Sequence, residues 1–299
     1  MSELSDEEFL ERVAYIRFAF SHKKSEVDSS RLSEALITTF QQGYSGNHQP
    51  FHRHTLTLHR GRIATDGRPF PRLSDHWYPP PRYSGYNRAN MPGESVFYCS
   101  NGSGTSLLEL RPKPGDLVSM MTCQISKEPI RLKWISQADM FGLLQPEGRR
   151  GEFERLCAEI YAYGTASPTQ YLICGAFASL FFRLDFIDGI AYLSVATSCK
   201  GVNIALKGSV ADQYVKPLSF RAFRVSEAVS EFDFRVMCVA SAGPPDDDGT
   251  IAWKPIPSCD GHIVNWSIFD RPMHATSKST GCAGNSVEVQ TPIAIPNQA

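Results

Sequence analysis

At 299 residues the chain is long enough for a substantial core, as one large domain or two small ones. Its 42% hydrophobic and 20% charged content is that of an ordinary globular protein, and no window approaches about 18 consecutive apolar residues, which argues against a membrane span. A formal net charge of −1 removes the long-range attraction that would draw the whole chain to nucleic acid or an anionic membrane.

Ser5-Asp6-Glu7-Glu8 reads as a capping box, Ser as N-cap and Glu three positions on, opening a helix to about Phe20. Phe9, Leu10, Val13, Ile16 and Phe20 recur at helical spacing and predict one buried face. The same N-terminus is acidic and lacks the positive and apolar regions of a secretory signal. A second helix carries Leu32, Leu36, Ile37 and Phe40, with Gly43 as its C-terminal stop. The two helices form an N-terminal extension over residues 1–50 that is expected to pack onto the domain following it.

His48, His52, His54 and His59 come next. Imidazoles are common metal ligands, but no Cys or carboxylate stands nearby in sequence to complete a set, so a polar loop running into a strand is the expectation and no metal is assigned. Residues 55–60 alternate polar and apolar, as a half-buried strand does. The Pro-, Arg- and aromatic-rich stretch to Ser84 reads as an ordered surface loop, with Trp77 and Tyr78 available as a stacking wall beside a site.

From Ser84 to Thr122 the punctuation is densest. Arg88 lies in a turn (Asn90-Met91-Pro92-Gly93), the run from Ser95 to Cys99 reads as a strand, and Thr105-Ser106 is a candidate cap for a short helix carrying Leu107, Leu108 and Glu109. Arg88, Tyr98 and Glu109 thus stand 10 and 11 residues apart along a turn–strand–helix unit. Strands are predicted over 116–125 and 130–135, and a helix over 151–164. Ser167-Pro168-Thr169-Gln170 opens another helix, apolar nearly all round and therefore buried, reaching to about Leu184. Strands follow over 188–194 and 201–206, then mixed structure to Val239, a turn or linker at 243–249 and a Ser/Thr/Gly/Pro-rich end from Thr276. The eight cysteines form no CxxC pair and no tight cluster, which points to reduced core residues and a cytoplasmic protein rather than a disulfide framework.

Several ordered segments resemble the RES-domain family, the toxin half of many bacterial toxin–antitoxin pairs. The family's "GRxNPPG"-like turn, "lYlA" strand and "TAlaE" helix are similar to residues 87–93, Val96-Phe97-Tyr98-Cys99 and Thr105-Ser106-Leu107-Leu108-Glu109. Its "DGIxYPSs" stretch is similar to residues 188–194, with Leu193 in place of Pro, and its "nxalF" strand is matched through Asn203. The resemblance runs from about Thr55 to Lys207. It implies an α+β, ADP-ribosyltransferase-like fold, a split mixed sheet around an NAD cleft, with a catalytic domain over 51–245 and a partly irregular C-terminal extension over 246–299.

The resemblance also implies cleavage of the nicotinamide–ribose bond of NAD⁺, consumed as substrate, and an antitoxin as partner. The residue chemistry suits that reaction. A carboxylate, Glu109, stabilises the positive charge that builds on the ribose. Arg88 offers a bidentate fork to the pyrophosphate, assisted by Arg60 of the family's first strand, with Arg62 as the near alternative for that strand position. Tyr98 lays its ring against nicotinamide, Ser194 at a strand end joins the catalytic set by positioning the carboxamide or a phosphate or by binding the attacking group, and Asn203 completes the binding set. Three readings stand open: a glycohydrolase or phosphorylase, a protein ADP-ribosyltransferase on the same fold, and an inactive interaction module. Rossmann, P-loop and zincin motifs are absent from the sequence.

Overall fold

A computed structural model describes residues 4–22, 24–46, 49–51, 57–135, 147–162, 164, 167–230, 233–257 and 263–267. His48, His52, His54 and the segment from Thr276 lie outside the described residues.

Local chemistry builds the helices as expected. Helix α1 (Asp6–Ser21) carries the complete Ser5/Glu8 capping box and buries Phe9, Val13, Ile16, Ala19 and Phe20. Helix α2 (Ser29–Gly43) starts on Asp28, whose side chain accepts from the N–H groups of Ser30 and Arg31. Its last residue, Gly43, does not act through a left-handed turn. A Cβ there would sit 2.5 Å from Cβ of Phe153, so the glycine serves close approach between helices. Ile37, grouped above with the apolar residues of this helix, is 40% exposed.

The strands are β1 (Gln49–Phe51), β2 (Thr57–Ala64), β3 (Val96–Ser100), β4 (Leu117–Ile125), β5 (Ile130–Ile135), β6 (Gly189–Leu193), β7 (Val202–Lys207), β8 (Val215–Ala228), β9 (Asp233–Ala242), β10 (Lys254–Pro255) and β11 (Ile263–Ser267). The remaining helices are α3 (Ser103–Leu110), α4 (Gly148–Ala162), α5 (Pro168–Phe182) and α6 (Gly208–Tyr214). The protein is thus α+β, with one mixed sheet in the order β1-β5-β6-β7-β3-β2-β4-β8-β9-β10 and β11 paired to β9. The β5–β6 pair is parallel, and the other pairs are antiparallel.

The sheet splits near its middle. β2 follows β4 along its whole length but meets β3 at one position, His59 opposite Ser100. Past that point the two strands diverge, and α3 closes the gap. The N–H of Gly61 on β2 finds no strand acceptor there and donates instead to the Oγ of Ser106 on α3, at 2.8 Å. A Cβ on Gly61 would lie 2.8 Å from Cδ1 of Leu110, so only glycine admits the helix. Contrary to expectation, Thr105 and Ser106 are not the cap of α3: Gly102 is its N-cap and has no side chain to offer.

One continuous apolar cluster joins α1 and α2 to α4, α5 and the underside of the sheet, reaching Ala89, Tyr192 and Ala205. Ion pairs reinforce it: Arg17 meets Glu159 at 2.6 Å and Arg149 meets Asp6 at 2.6 Å. The N-terminal helices therefore pack onto the domain. Among the described residues no helix is long and apolar enough to cross a membrane, and the six described cysteines are free.

Candidate active site

At the split, β2, β3, α3, β6 and β7 surround a hollow of ≈ 170 Å³. Arg60, Tyr98, Glu109, Asn203, Tyr192 and Ser106 line it, together with Gly61, Cys99, Ser100 and Leu110. Strand pairing brings residues far apart in sequence to this spot. Asn203 on β7 stands opposite both Ser100 on β3 and Tyr192 on β6, and Tyr98 stands opposite Ala205.

Glu109 projects from the last turn of α3 into the mouth of the hollow. One carboxylate oxygen, Oε1, accepts from Ser194 Oγ at 2.6 Å and from Asn203 Nδ2 at 2.5 Å. Two donors on one oxygen fix the carboxylate in orientation. Oε2 has no hydrogen bond among the described residues and is left for a ligand. Ser194 is fully buried and also accepts from the N–H of Thr197, capping a short 3₁₀ turn. It therefore holds the acid and is not among the residues that line the hollow.

Arg60 is anchored along its length. Its Nε donates to the carbonyl of His76 at 2.7 Å, Nη1 to that of Tyr98 at 2.7 Å and Nη2 to that of Trp77 at 3.1 Å. A guanidinium has five N–H donors, so this leaves two for a ligand in the hollow. Burial, then the charge of Arg62, lowers its pKa to about 10, and it stays cationic at neutral pH. Arg62 is exposed and donates to the carbonyl of Asp75, outside the lining.

The Tyr98 ring forms one wall, while its hydroxyl faces away. The oxygen accepts from the N–H of Ala89 at 2.9 Å and its hydrogen goes to Oδ1 of Asn90 at 2.8 Å. Burial keeps this phenol well above its ordinary pKa. Tyr98 thereby pins the turn that carries Arg88. Asn90 completes the pin, its Nδ2 reaching Ser84 Oγ and the carbonyls of Gly85 and Met91 at 2.7 to 3.0 Å.

Arg88 does not line the hollow. Its guanidinium donates to the carbonyl of Tyr161 near the C-terminal end of α4, and lies 5.7 Å from the ring centre of Tyr161 and 5.3 Å from that of Tyr192. A helix C-terminus and two aromatic faces both favour a cation. Arg88 is thus one ring removed from the cavity, behind Tyr192. Sequence reasoning gave Tyr192 no role. What brings it to the hollow is its register on β6 opposite Asn203 of β7, which no local pattern shows.

Trp77 and Tyr78 do not form the expected stacking wall. They donate to the two carboxylate oxygens of Asp212 at 2.8 and 2.6 Å and pack on a separate apolar cluster. Cys99 lines the hollow, but burial holds its thiol far from ionisation and it donates to the carbonyl of Ile204 at 3.4 Å. His59 sits beside Thr122, with 3.3 Å between Nδ1 and Oγ1. Burial lowers its pKa to about 4, helped by Arg221. No group of His, Cys, Asp or Glu among the described residues is arranged to hold a metal ion.

No protein-family model and no curated protein matches the chain. Among solved structures it is similar to a chain of the M. tuberculosis MbcT–MbcA toxin–antitoxin complex, with 11% sequence identity and a TM-score of 0.33 over 70% of this chain and 91% of that one.

Proposed function

We propose that this chain is an NAD⁺-consuming enzyme that breaks the nicotinamide–ribose bond on an ADP-ribosyltransferase-like fold. The observation that carries the reading is the Glu109 carboxylate, tethered by Ser194 and Asn203 through Oε1, at the edge of a hollow walled by two tyrosines and an arginine. A cavity of ≈ 170 Å³ is smaller than the roughly 300–1,000 Å³ that encloses a whole drug-sized ligand, so it suits one end of a dinucleotide.

In the proposed reaction the bond between ribose C1′ and the pyridinium nitrogen breaks, and its electron pair leaves with neutral nicotinamide. Positive charge spreads over C1′ and the ring oxygen. Glu109 stabilises it through Oε2, as a fixed negative group placed where charge develops. Arg60 holds a phosphate through its two remaining N–H groups, and the faces of Tyr98 and Tyr192 receive the nicotinamide ring. Water or inorganic phosphate then bonds to C1′, and a proton lost from water passes to Glu109 or solvent. Arg88, Ser194 and Asn203 act as positioning residues: the first on the tyrosine wall, the other two on the acid. The motif resemblance extends the proposal to a cytoplasmic toxin restrained by a separate antitoxin.

The test is product analysis. NAD⁺ incubated with the protein alone is expected to give free nicotinamide and ADP-ribose, or a phosphorylated ADP-ribose when inorganic phosphate is the acceptor. Nicotinamide release that requires a macromolecular acceptor would reassign the site to protein ADP-ribosylation. Absence of release under all three conditions would leave an interaction module and overturn the enzyme reading.

A further inference from the structure

Ser106 enters the sequence reading only as a cap, and the motif it resembles has alanine there. The structure gives it different work. Its oxygen is fixed by the Gly61 N–H at 2.8 Å, the bond that replaces a missing strand partner where the sheet splits. A serine hydroxyl has one hydrogen to donate, and this one has no acceptor among the described residues. The residue is 8% exposed, so little of it meets bulk water. It lines the hollow one helical turn before Glu109, on the same face of α3, and borders it together with Arg60.

We propose that Ser106 is a substrate-binding residue, its hydroxyl donating to an acceptor oxygen of the bound nucleotide. The inference rests on the reading of the hollow as a nucleotide site. A fixed oxygen confines the hydrogen to a narrow cone, so the donor is oriented before the ligand arrives. Beside it Glu109 supplies an acceptor and Arg60 further donors. The site thus pairs one acceptor for a ribose hydroxyl with donors for a carboxamide or phosphate oxygen.

Two variants and two readouts test this. In Ser106→Ala the donor is lost, and both the KM for NAD⁺ and its calorimetric Kd are expected to rise about tenfold, with kcat changed less than about threefold. Ser106→Thr keeps the hydroxyl and is expected to stay within about threefold of wild type in both constants. Repeating the titration with nicotinamide riboside locates the acceptor: a persisting penalty assigns it to the carboxamide or ribose, a vanished one to a phosphate. A wild-type KM and Kd in Ser106→Ala would overturn the assignment. So would a loss confined to kcat that follows a lowered Tm, since that would mark a purely structural bond to Gly61. Failure of the wild-type protein to release nicotinamide would sink the enzyme reading instead. In that case a Ser106-dependent Kd for NAD⁺ still supports the binding role, and no NAD⁺ binding at all removes it.

Discussion

Removing either donor to Glu109 isolates what its tether contributes. Asn203→Ala and Ser194→Ala each leave Oε1 with one hydrogen bond instead of two. A hydrogen bond to a charged group contributes ~1.5–3 kcal/mol. If about half of that is felt only as charge develops, kcat for nicotinamide release falls about three- to twelvefold with little change in KM. A larger effect on KM than on kcat would contradict a positioning role. Tyr98→Phe tests a different link. It strips the hydroxyl that joins Ala89 to Asn90, leaving two polar groups of the Arg88 turn unsatisfied, at a cost of ~1–3 kcal/mol in urea denaturation. Glu109, Tyr98 and Arg60 stand out in the sequence, and the structure brings all three to the lining of one hollow. Tyr192 and Ser106 were hidden because their roles depend on which strands lie adjacent. The bond from Ser194 to Glu109 was hidden too, because a serine in a motif carries no mark of which side chain it faces.

At the level of elements, helices α1 and α2 are fixed by the same core that underlies the site. Phe9 is fully buried, with the Arg149 guanidinium 5.8 Å from its ring centre. Phe9→Ala is expected to cost ~3–5 kcal/mol, read as a shift of the denaturant midpoint at constant slope. Lys133 on β5 has 1% of its side chain exposed and meets Glu154 on α4 at 2.5 Å, between the rings of Tyr44 and Phe181. Glu154→Gln leaves that ammonium buried without its counter-charge and should cost ~3 kcal/mol or more. The pair Lys133→Met with Glu154→Leu is expected to restore most of the loss, since well-packed apolar side chains avoid the desolvation penalty. A double variant no better than the single one would contradict this account of the pair. The starts of α1 and α5 were readable, because a capping box is written in four consecutive residues, while the start of α3 on Gly102 carries no such mark. The split was not, because it arises from β3 pairing with β7 about a hundred positions onward, beyond any local pattern.

For the molecule as a whole, two neutral imidazoles, one fully buried and one partly buried, set an acid limit. His76 is fully buried between Phe70 and Phe220, beside Ser119 Oγ at 3.1 Å, and burial lowers its pKa to about 3. His59 is lowered to about 4 by the same cause. Both are neutral in the fold and take up protons on unfolding below their ordinary value of about 6.5. Their contribution is therefore complete above about pH 6.5 and is lost as pH falls toward 4 and then 3. Denaturation free energy should decline between pH 6.5 and 4.5, and a flat profile across that window would contradict the burial of neutral imidazoles.

The claim on which the function depends is that Glu109 stabilises a ribose cation in the hollow at the sheet split. Its most direct measurement is the rate of nicotinamide release from NAD⁺ by the wild-type protein and by Glu109→Gln, which keeps size and one acceptor oxygen for Ser194 and Asn203 but removes the charge. Measurable release by the wild type and a loss of at least about a hundredfold in kcat in the variant, with Tm unchanged, are expected. Equal rates from the two proteins would contradict the claim.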